Sequence, residues 1–276
     1  MTDADLHSGP AGFADAVTVT FADAERGWFG MARLGRADGT GSALAVLFRG
    51  REPVAALAEG SLQPSGEDWA DLRVGPLHSS VNAGFERWTV GWDDHFALEL
   101  EAASAPVERR GGMEGYEQLV RVRGTVTVDG ETAEIDGLGQ RGHAWGVVDW
   151  SSLELVRGVS AWLGEGGIVL ESLRPERANG HDAEEIWASL VEHGDPVPVI
   201  DPRLSTTYDG DGHQRRAGLE LWLTDEAGYP VRAAGEVICG SSLELGALRL
   251  DLAFFAWTSE GSRGVGRYDV LRKVAS

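Results

Sequence analysis

Hydrophobic and polar residues alternate over short stretches along most of this chain. In residues 96–101 every second position is phenylalanine or leucine, and alanine or glutamate fills the positions between. Valine recurs in a similar way through residues 119–128, and leucine through residues 219–224. A period of two is typical of a strand with one buried face. The pattern therefore predicts a chain built mainly from β-strands.

Turn residues separate these segments at intervals of roughly ten residues. Asp129-Gly130 is the strongest of these signals, because an Asp-Gly pair favours the two-residue turn of a hairpin. Further strands are predicted at residues 17–21, 42–48, 54–57, 85–92, 132–135, 231–238, 243–257 (two strands) and 266–273. This spacing predicts an all-β fold with an antiparallel barrel or sandwich, and no alternation of strands with helices is visible.

One segment fits two kinds of element. Residues 182–193 could form a helix with an aspartate as its N-cap and Gly194 just after its last turn. They could equally form a strand in which Trp187 and Val191 share a face. We prefer the strand, because everything near it is predicted to be β.

A break in composition near Trp150 suggests a domain boundary. A cluster of glycine and aromatic residues ends there, and the chain of 276 residues is long enough for two β domains, residues 1–150 and residues 151–276. No Pro-rich or Ser-rich linker joins them. We therefore expect the two halves to be packed together.

The composition excludes several kinds of partner. The formal net charge is −20, from 44 acidic and 24 basic residues, so a nucleic-acid backbone would be repelled. The single cysteine, Cys239, allows neither a disulfide within the chain nor a cysteine-based zinc site. Residues 1–15 contain no apolar run, and no apolar stretch reaches the ~18 residues that a membrane span needs. We expect a cytoplasmic protein without a membrane span.

The most informative segment is residues 137–150, which holds Arg141, His143, Trp145, Asp149 and Trp150 among four glycines. Indoles can wall an apolar ligand, and a guanidinium and an imidazole can direct charge or protons at one of its atoms. Histidine is the side chain whose proton exchange is centred near neutral pH. His143 could instead be a core histidine bonded to a neighbour, and Arg141 with Asp149 could form a buried ion pair.

The glycines of this segment also match the dinucleotide-binding pattern G-x-G-x-x-G literally. That pattern requires a following helix, whose N-terminus binds the phosphates. Here Trp145 and further bulky residues stand where the helix would begin. We expect no dinucleotide site here.

This segment, together with Tyr116-Glu117-Gln118 before it, resembles the carotenoid hydratase (hydroxyneurosporene synthase) and AttH-like superfamily, which has actinobacterial relatives of unknown function. The usual string of that superfamily is Arg-Asp-His-Ser-Trp-Gly. This chain has Arg141, His143, Trp145 and Gly146 at the matching positions, but Gly142 replaces the Asp and Ala144 replaces the Ser. Residues 264–268 resemble the closing strand of that family.

The resemblance implies two consecutive lipocalin-like β domains with a ligand cavity. It also implies cofactor-free chemistry on a hydrophobic terpenoid or polyketide: hydration, cyclisation or isomerisation in a biosynthetic role. The expected partner is this small molecule, with the chain a monomer or homodimer. The replaced Asp and Ser leave open a non-catalytic carrier or sensor of a hydrophobic ligand, and a structural protein with a filled barrel.

The candidate residues follow from these arguments. The candidates for catalysis are His143, Arg141, Glu117, Tyr116 and Asp149. The candidates for ligand binding are Trp145, Trp150, Gln118, Trp92 and Tyr268. In this hypothesis His143 or Glu117 moves a proton, while Arg141 and Tyr116 polarise an oxygen. No metal site is predicted, because the histidines are scattered and the motif H-E-x-x-H is absent.

Overall fold

A computed structural model describes residues 3–176, 183–224 and 228–274 of the chain. The residues so described form two antiparallel sheets and contain no α-helix. The first sheet contains β1 (Phe13–Asp23), β2 (Trp28–Ala37), β3 (Thr40–Arg49), β4 (Glu52–Leu62), β5 (Pro64–Ser65), β6 (Asp71–Val74), β7 (Leu77–Ala83), β8 (Arg87–Trp92), β9 (Phe96–Ala102), β10 (Val107–Glu108), β11 (Glu114–Val128) and β12 (Glu131–Val147). The second contains β13 (Leu153–Leu163), β14 (Gly166–Pro175), β15 (Glu185–Glu192), β16 (Asp195–Pro198), β17 (Asp201–Tyr208), β18 (Gln214–Trp222), β19 (Val231–Leu245), β20 (Leu248–Ser259) and β21 (Ser262–Lys273).

Both sheets follow one topological rule. In the first, the order is β4-β3-β2-β1-β12-β11-β9-β8-β7-β6-β5, so the first strand pairs with the last. In the second, the order is β16-β15-β14-β13-β21-β20-β19-β18-β17, and again the first strand of the set pairs with the last. Each sheet is thus a pair of antiparallel meanders joined in the middle. The all-β fold with two lipocalin-like halves is confirmed.

The sheets belong to two compact units, Met1–Val148 and Asp149–Ser276. We propose that these units are the two domains of the chain. In the first unit the sheet curls, so that β2 and β3 approach β6 and β7 across a core. In the second unit β15 approaches β17 in a similar way.

The core of the first unit is formed by the inward-facing alternate residues that the sequence pattern predicts. Val120, Val122 and Val126 of β11 are fully buried, and they pack with Leu98 and Leu100 of β9. At about 25 cal/mol per Å² of apolar surface, burial of each such side chain stabilises the fold by roughly 1.5–3 kcal/mol. This requirement to bury one face fixes the strand register, because a shift by one residue would expose that face.

The predicted hairpin at Asp129-Gly130 is confirmed. Both residues have positive φ, 53° and 79°, as a type I′ turn requires. The strand interpretation of residues 182–193 is also confirmed over Glu185–Glu192, while Asp182 lies outside the described residues.

The segment 137–147 forms the C-terminal part of β12, a strand of 17 residues. A strand presents its side chains alternately to the two faces of the sheet, so the residues of the informative segment separate into two sets.

Candidate functional site

A group of polar and aromatic side chains lies on the interior face of the first unit. Arg141 and His143 of β12 occupy alternate positions on this face and stand directly opposite Gln118 and Tyr116 of β11. Arg141 and His143 are each only 1% exposed. The group is completed from outside these two strands, and we call it the inner-face cluster: Asp3, His7, Asp15, Tyr116, Arg141, His143 and Trp145.

Asp3 neutralises the buried charge of Arg141. The Nη1 of Arg141 donates to Asp3 Oδ1 at 2.9 Å and to the Tyr116 hydroxyl at 2.5 Å. Tyr116 in turn donates to Asp3, as do the Trp88 indole and the backbone N–H of Phe85. A buried guanidinium without a counter-ion would be strongly destabilising, so the Asp3 carboxylate compensates the charge of Arg141 in this structure.

Asp15 holds the imidazole of His143. The His143 Nε2 lies 2.7 Å from Asp15 Oδ1, and the backbone N–H of His7 donates to Asp15 Oδ2 at 2.8 Å. Asp15 is itself 1% exposed. An ionised carboxylate only accepts hydrogen bonds, so the pairing places the proton of a neutral His143 on Nε2 and leaves Nδ1 as the basic nitrogen.

The protonation states follow from burial and from these partners. Burial lowers the pKa of His143 from its ordinary value, and the nearby charge of Arg141 adds to this, against the opposing effect of Asp15. Burial opposes the ionisation of Asp3 and of Asp15. The pKa of Asp3 is nevertheless held below its usual range, chiefly by the charge of Arg141. The pKa of Asp15 is held below its usual range chiefly by the hydrogen bond from His143. Burial raises the pKa of Tyr116 far above its ordinary value, so its hydroxyl stays a neutral donor. At neutral pH, therefore, Asp3 and Asp15 are carboxylates beside the Arg141 guanidinium, and the His143 imidazole is neutral.

Several polar atoms of this cluster have unused hydrogen-bonding capacity. Within the described ranges, Arg141 Nε and Nη2, His143 Nδ1, His7 Nε2 and Gln118 Oε1 are buried without a hydrogen-bond partner. Buried polar atoms are nearly always paired, so each unpaired atom calls for an explanation. A bound molecule that supplies both acceptors and donors would satisfy this group.

Aromatic rings wall the cluster. His7 stacks on Trp145 with ring centroids 3.7 Å apart and an interplanar angle of 4°. Trp69 meets the His143 ring edge-on at 5.4 Å. The guanidinium of Arg141 lies over the Trp88 ring at 4.9 Å, a favourable cation–π contact. Cationic and imidazole groups enclosed by flat apolar walls suit an apolar ligand that carries one polar end.

Glu117 lies on the opposite face of the sheet, because it neighbours Tyr116 in a strand and pairs with Gly142. It is buried there and accepts hydrogen bonds from Gln140 Nε2 at 2.6 Å and from Arg109 Nη1 at 3.0 Å. Its carboxyl fills the space in front of Gly142, where an added Cβ would lie 2.8 Å from Glu117 Cδ. The Glu117 carboxyl thus fills the space into which the family's Asp side chain would extend from position 142. Because Glu117 and His143 lie on opposite faces of the sheet, they cannot act on the same substrate atom.

The other predicted residues are dispersed. Asp149 is exposed and caps a turn by accepting from Ser151, so the suggested Arg141–Asp149 ion pair is wrong: Arg141 pairs with Asp3. Trp150, next along the chain, is half-buried in the same turn.

Gln118, Trp92 and Tyr268 have structural partners. The Gln118 amide donates to the backbone oxygens of Phe85 and Ser104. Trp92 belongs to the core of the first unit, and Tyr268 to the core of the second, where its hydroxyl meets Thr206 at 2.5 Å. Of these three, only Gln118 adjoins the inner-face cluster.

The sequence analysis missed Asp3 and Asp15. They stand 138 and 128 residues before Arg141 and His143, and nothing in their neighbours along the chain marks them. Their only sequence signal is that Asp15 begins an alternating segment, with Val17 and Val19 on the same face.

Among the residues that the structure describes, two groups of side chains could hold a metal ion. His7, Asp15 and His143 bring one ligand atom each within 4.8 Å of one another, and so do Asp209, Asp211 and His213 in the second unit. Two histidines and one carboxylate form a donor set suited to zinc or iron(II). In the first group, however, the carboxylate already bonds both His143 and the His7 backbone.

Two cavities among the described residues have linings outside the inner-face cluster. One of about 330 Å³ in the second unit is lined by Arg157, Glu184, Thr206 and Tyr208 among others. A groove of about 430 Å³ in the first unit is lined by Trp88 and by charged residues of β8, β9 and β11. The inner-face cluster itself is closed over by residues 3–12, which form no strand.

No helix in the described part of the chain has the length and apolar character to cross a membrane.

No curated protein matches the chain. Among solved structures, a candidate AttH from Nitrosomonas europaea matches 96% of this chain and 93% of its own, with a TM-score of 0.69 at 12% identity.

Two further solved structures share the fold. Kievitone hydratase from Nectria haematococca matches 95% of this chain and 89% of its own, with a TM-score of 0.66 at 10% identity. CghA, solved with Sch210972, matches 95% of this chain and 89% of its own, with a TM-score of 0.64 at 12% identity. These matches confirm the AttH-like resemblance as a likeness of fold. A family model described as a domain of unknown function, DUF7064, matches residues 3–274, and the chain belongs to this family.

Proposed function

We propose that this chain is a cofactor-free enzyme that hydrates, cyclises or isomerises a hydrophobic small molecule of the terpenoid or polyketide class. The observation that carries the proposal is the Asp15–His143 pair. A buried neutral imidazole is held at Nε2 by a carboxylate and has a free basic nitrogen at Nδ1. This is the arrangement of a general base whose orientation is fixed by a third group.

In this proposal His143 Nδ1 takes a proton from the substrate, or from a water molecule that adds to it, and returns a proton later in the cycle. Asp15 holds the ring in one tautomer and stabilises the imidazolium that forms transiently. The carboxylate that the family string places at position 142 is not needed for this role, because Asp15 reaches the imidazole from β1.

Arg141 and Tyr116 polarise an oxygen of the substrate. Both are positioned by the sheet, and a raised pKa keeps the Tyr116 hydroxyl protonated as a donor. Preorganised donors that face a developing negative charge lower the barrier without having to reorganise during the reaction. The aromatic walls would hold the apolar part of the substrate close to its reactive geometry.

Access to the cluster requires movement of residues 3–12. This segment makes no strand pairing and covers the cluster through side-chain bonds of Asp3, the backbone N–H of His7 and packing of Leu6 against the core. A closing segment that excludes water favours acid–base chemistry on an apolar substrate. One protein with this fold is named as a hydratase, and that name adds an argument by analogy.

The test uses solvent deuterium, so that the substrate need not be known in advance. The purified chain is incubated in D₂O with a metabolite extract of its source organism, and products are followed by mass spectrometry. Wild-type protein is expected to change the mass or retention time of at least one hydrophobic metabolite. H143Q and D15N are expected to lose this activity by about 10²–10⁴-fold, the usual contribution of general acid–base catalysis.

The matched control is H193N, which changes an exposed histidine at a turn and should retain full activity. Retained activity in H143Q would refute the role of the imidazole. If a metabolite binds tightly and is never altered by the wild-type protein, the chain is a carrier and the enzymatic proposal fails.

A further inference from the structure

The carboxylate of Asp3 occupies a complete anion-binding site. It receives hydrogen bonds from Arg141 Nη1, from the Tyr116 hydroxyl, from the Trp88 indole and from the backbone N–H of Phe85. These donors come from β12, β11, β8 and the turn before β8, so the sheet positions them whether or not Asp3 is present. Four donors around one carboxylate, with a cation among them, are what a bound anion requires.

Asp3 itself is attached less firmly than the site that holds it. Residues 3–12 contribute no strand to the sheet. Besides Asp3, the contacts that hold the segment include the Ala4 carbonyl, which accepts from Trp69 N, the bonds and stacking of His7, the Gly12 N–H on Asp38 and the packing of Leu6 on the core. Departure of this segment breaks no sheet ladder. A segment without strand pairing opens more readily than the sheet that it covers.

The site keeps further capacity for a ligand when Asp3 is in place. Arg141 Nε and Nη2 form the second edge of the guanidinium, and among the described residues neither has a partner. His143 Nδ1 is also unpaired. An arginine edge of two parallel N–H groups matches a carboxylate in bidentate fashion.

We propose that Asp3 stands in for an anionic oxygen of the ligand, so that the natural ligand is an apolar acid, either a carboxylate or an acidic enol or phenol. Its negative end replaces Asp3 against Arg141, Tyr116 and Trp88, and its apolar body takes the space of residues 3–12. This inference rests on the proposed function for the choice of site, and it adds the chemical class of the substrate.

The test measures binding of 4-fluorobenzoate by ¹⁹F NMR, with 4-fluorobenzyl alcohol as the neutral isostere. A tethered carboxylate competes at an effective concentration in the millimolar range. D3A is therefore expected to bind 4-fluorobenzoate at least about tenfold more tightly than the wild type. D5A, which removes an exposed carboxylate two residues away, should bind like the wild type.

The double variant D3A/R141M should lose the gain, and no variant should bind the alcohol as tightly as the acid. D3N keeps the shape of Asp3 without its charge and provides the same comparison if D3A does not fold, with a smaller but still several-fold gain over the wild type. Equal affinity of wild type, D3A and D3N for the acid would overturn the inference, as would undiminished binding in D3A/R141M.

Because the assay measures binding without turnover, its result is independent of the deuterium experiment. If the chain binds the acid and converts no metabolite, the proposed ligand class stands and the chain is a carrier of apolar acids. If it converts a metabolite but shows no preference for acids, the proposed function stands and the ligand class is refuted.

Discussion

Removing either partner of the Asp3–Arg141 pair should destabilise the first unit, but by unequal amounts. In D3A the guanidinium stays buried, keeps the Tyr116 hydroxyl as its one hydrogen-bond partner among the described residues, and cannot lose its charge. In R141M the carboxylate keeps its donors from Tyr116, Trp88 and Phe85, and it can also take up a proton.

The magnitudes follow from these contacts. An uncompensated buried charge costs about 3–5 kcal/mol, so D3A is expected near the upper end of that range. R141M loses one charge-assisted bond between ions and is expected to cost about 1.5–3 kcal/mol. The double variant D3A/R141M should cost less than the sum by about 2 kcal/mol or more, because each single variant leaves the other partner unpaired.

The pH dependence gives a second sign. In the wild type, burial alone would raise the pKa of Asp3. The charge of Arg141 and the hydrogen bonds to Asp3 outweigh this effect, so the pKa is lowered overall. A carboxyl with a lowered pKa in the folded state contributes stability above its unfolded value of about 3.9, and this contribution is lost as the pH falls through the folded pKa. R141M loses the largest single contribution to this lowering, so the difference in stability between wild type and R141M should shrink below about pH 4.

The assay is urea denaturation followed by tryptophan fluorescence, since Trp88 lies against both charged groups. Hydrogen exchange of the β11 and β12 amides assigns the change to the first unit. Equal costs for D3A and R141M that add fully in the double variant would refute the buried pair.

Three further predictions concern the same unit. Wild-type stability should fall as the pH drops below about 6.5, because burial lowers the pKa of His143 and the unfolded chain takes up that proton first. Thermal midpoints measured at a series of pH values should show this slope in the wild type. The same slope in H143Q would contradict the prediction. G142A should lower the free energy of unfolding by about 1–3 kcal/mol, because its Cβ would meet the Glu117 carboxyl. In urea melts the same change should cost much less when it is made in E117A. An equal cost in both backgrounds would show that the strain arises from other contacts. Removal of metal ions with EDTA, checked by elemental analysis, should leave the solvent-deuterium activity within about twofold; loss of activity that zinc restores would instead make His7, Asp15 and His143 a metal site.

The local geometry of the cluster could be predicted from the sequence, and its long-range partners could not. Alternation along a strand places Arg141 and His143 on one face, and the Asp129-Gly130 turn sets the pairing that brings Tyr116 opposite His143. The same rule of alternation separates Glu117 from Tyr116, which the motif-based choice of site residues overlooked.

Asp3 and Asp15 belong to contacts closed over more than 120 residues, with sequence separations of 138 and 128. Periodicity describes which face a residue takes, but not which distant segment covers that face. The glycines of residues 137–146 do not mark turns, because they lie within a long strand and allow close neighbours there.

The proton chemistry proposed for this chain depends on one property of His143: a neutral ring with its hydrogen on Nε2, bonded to Asp15, and a free lone pair on Nδ1. Nitrogen-15 NMR of the histidine side chains reads this tautomer directly. We expect His143 to show a protonated Nε2 and an unprotonated Nδ1 at neutral pH, and to remain so below the pH at which exposed histidines titrate. A protonated Nδ1, or titration of His143 together with exposed histidines near pH 6.5, would contradict the proposed mechanism.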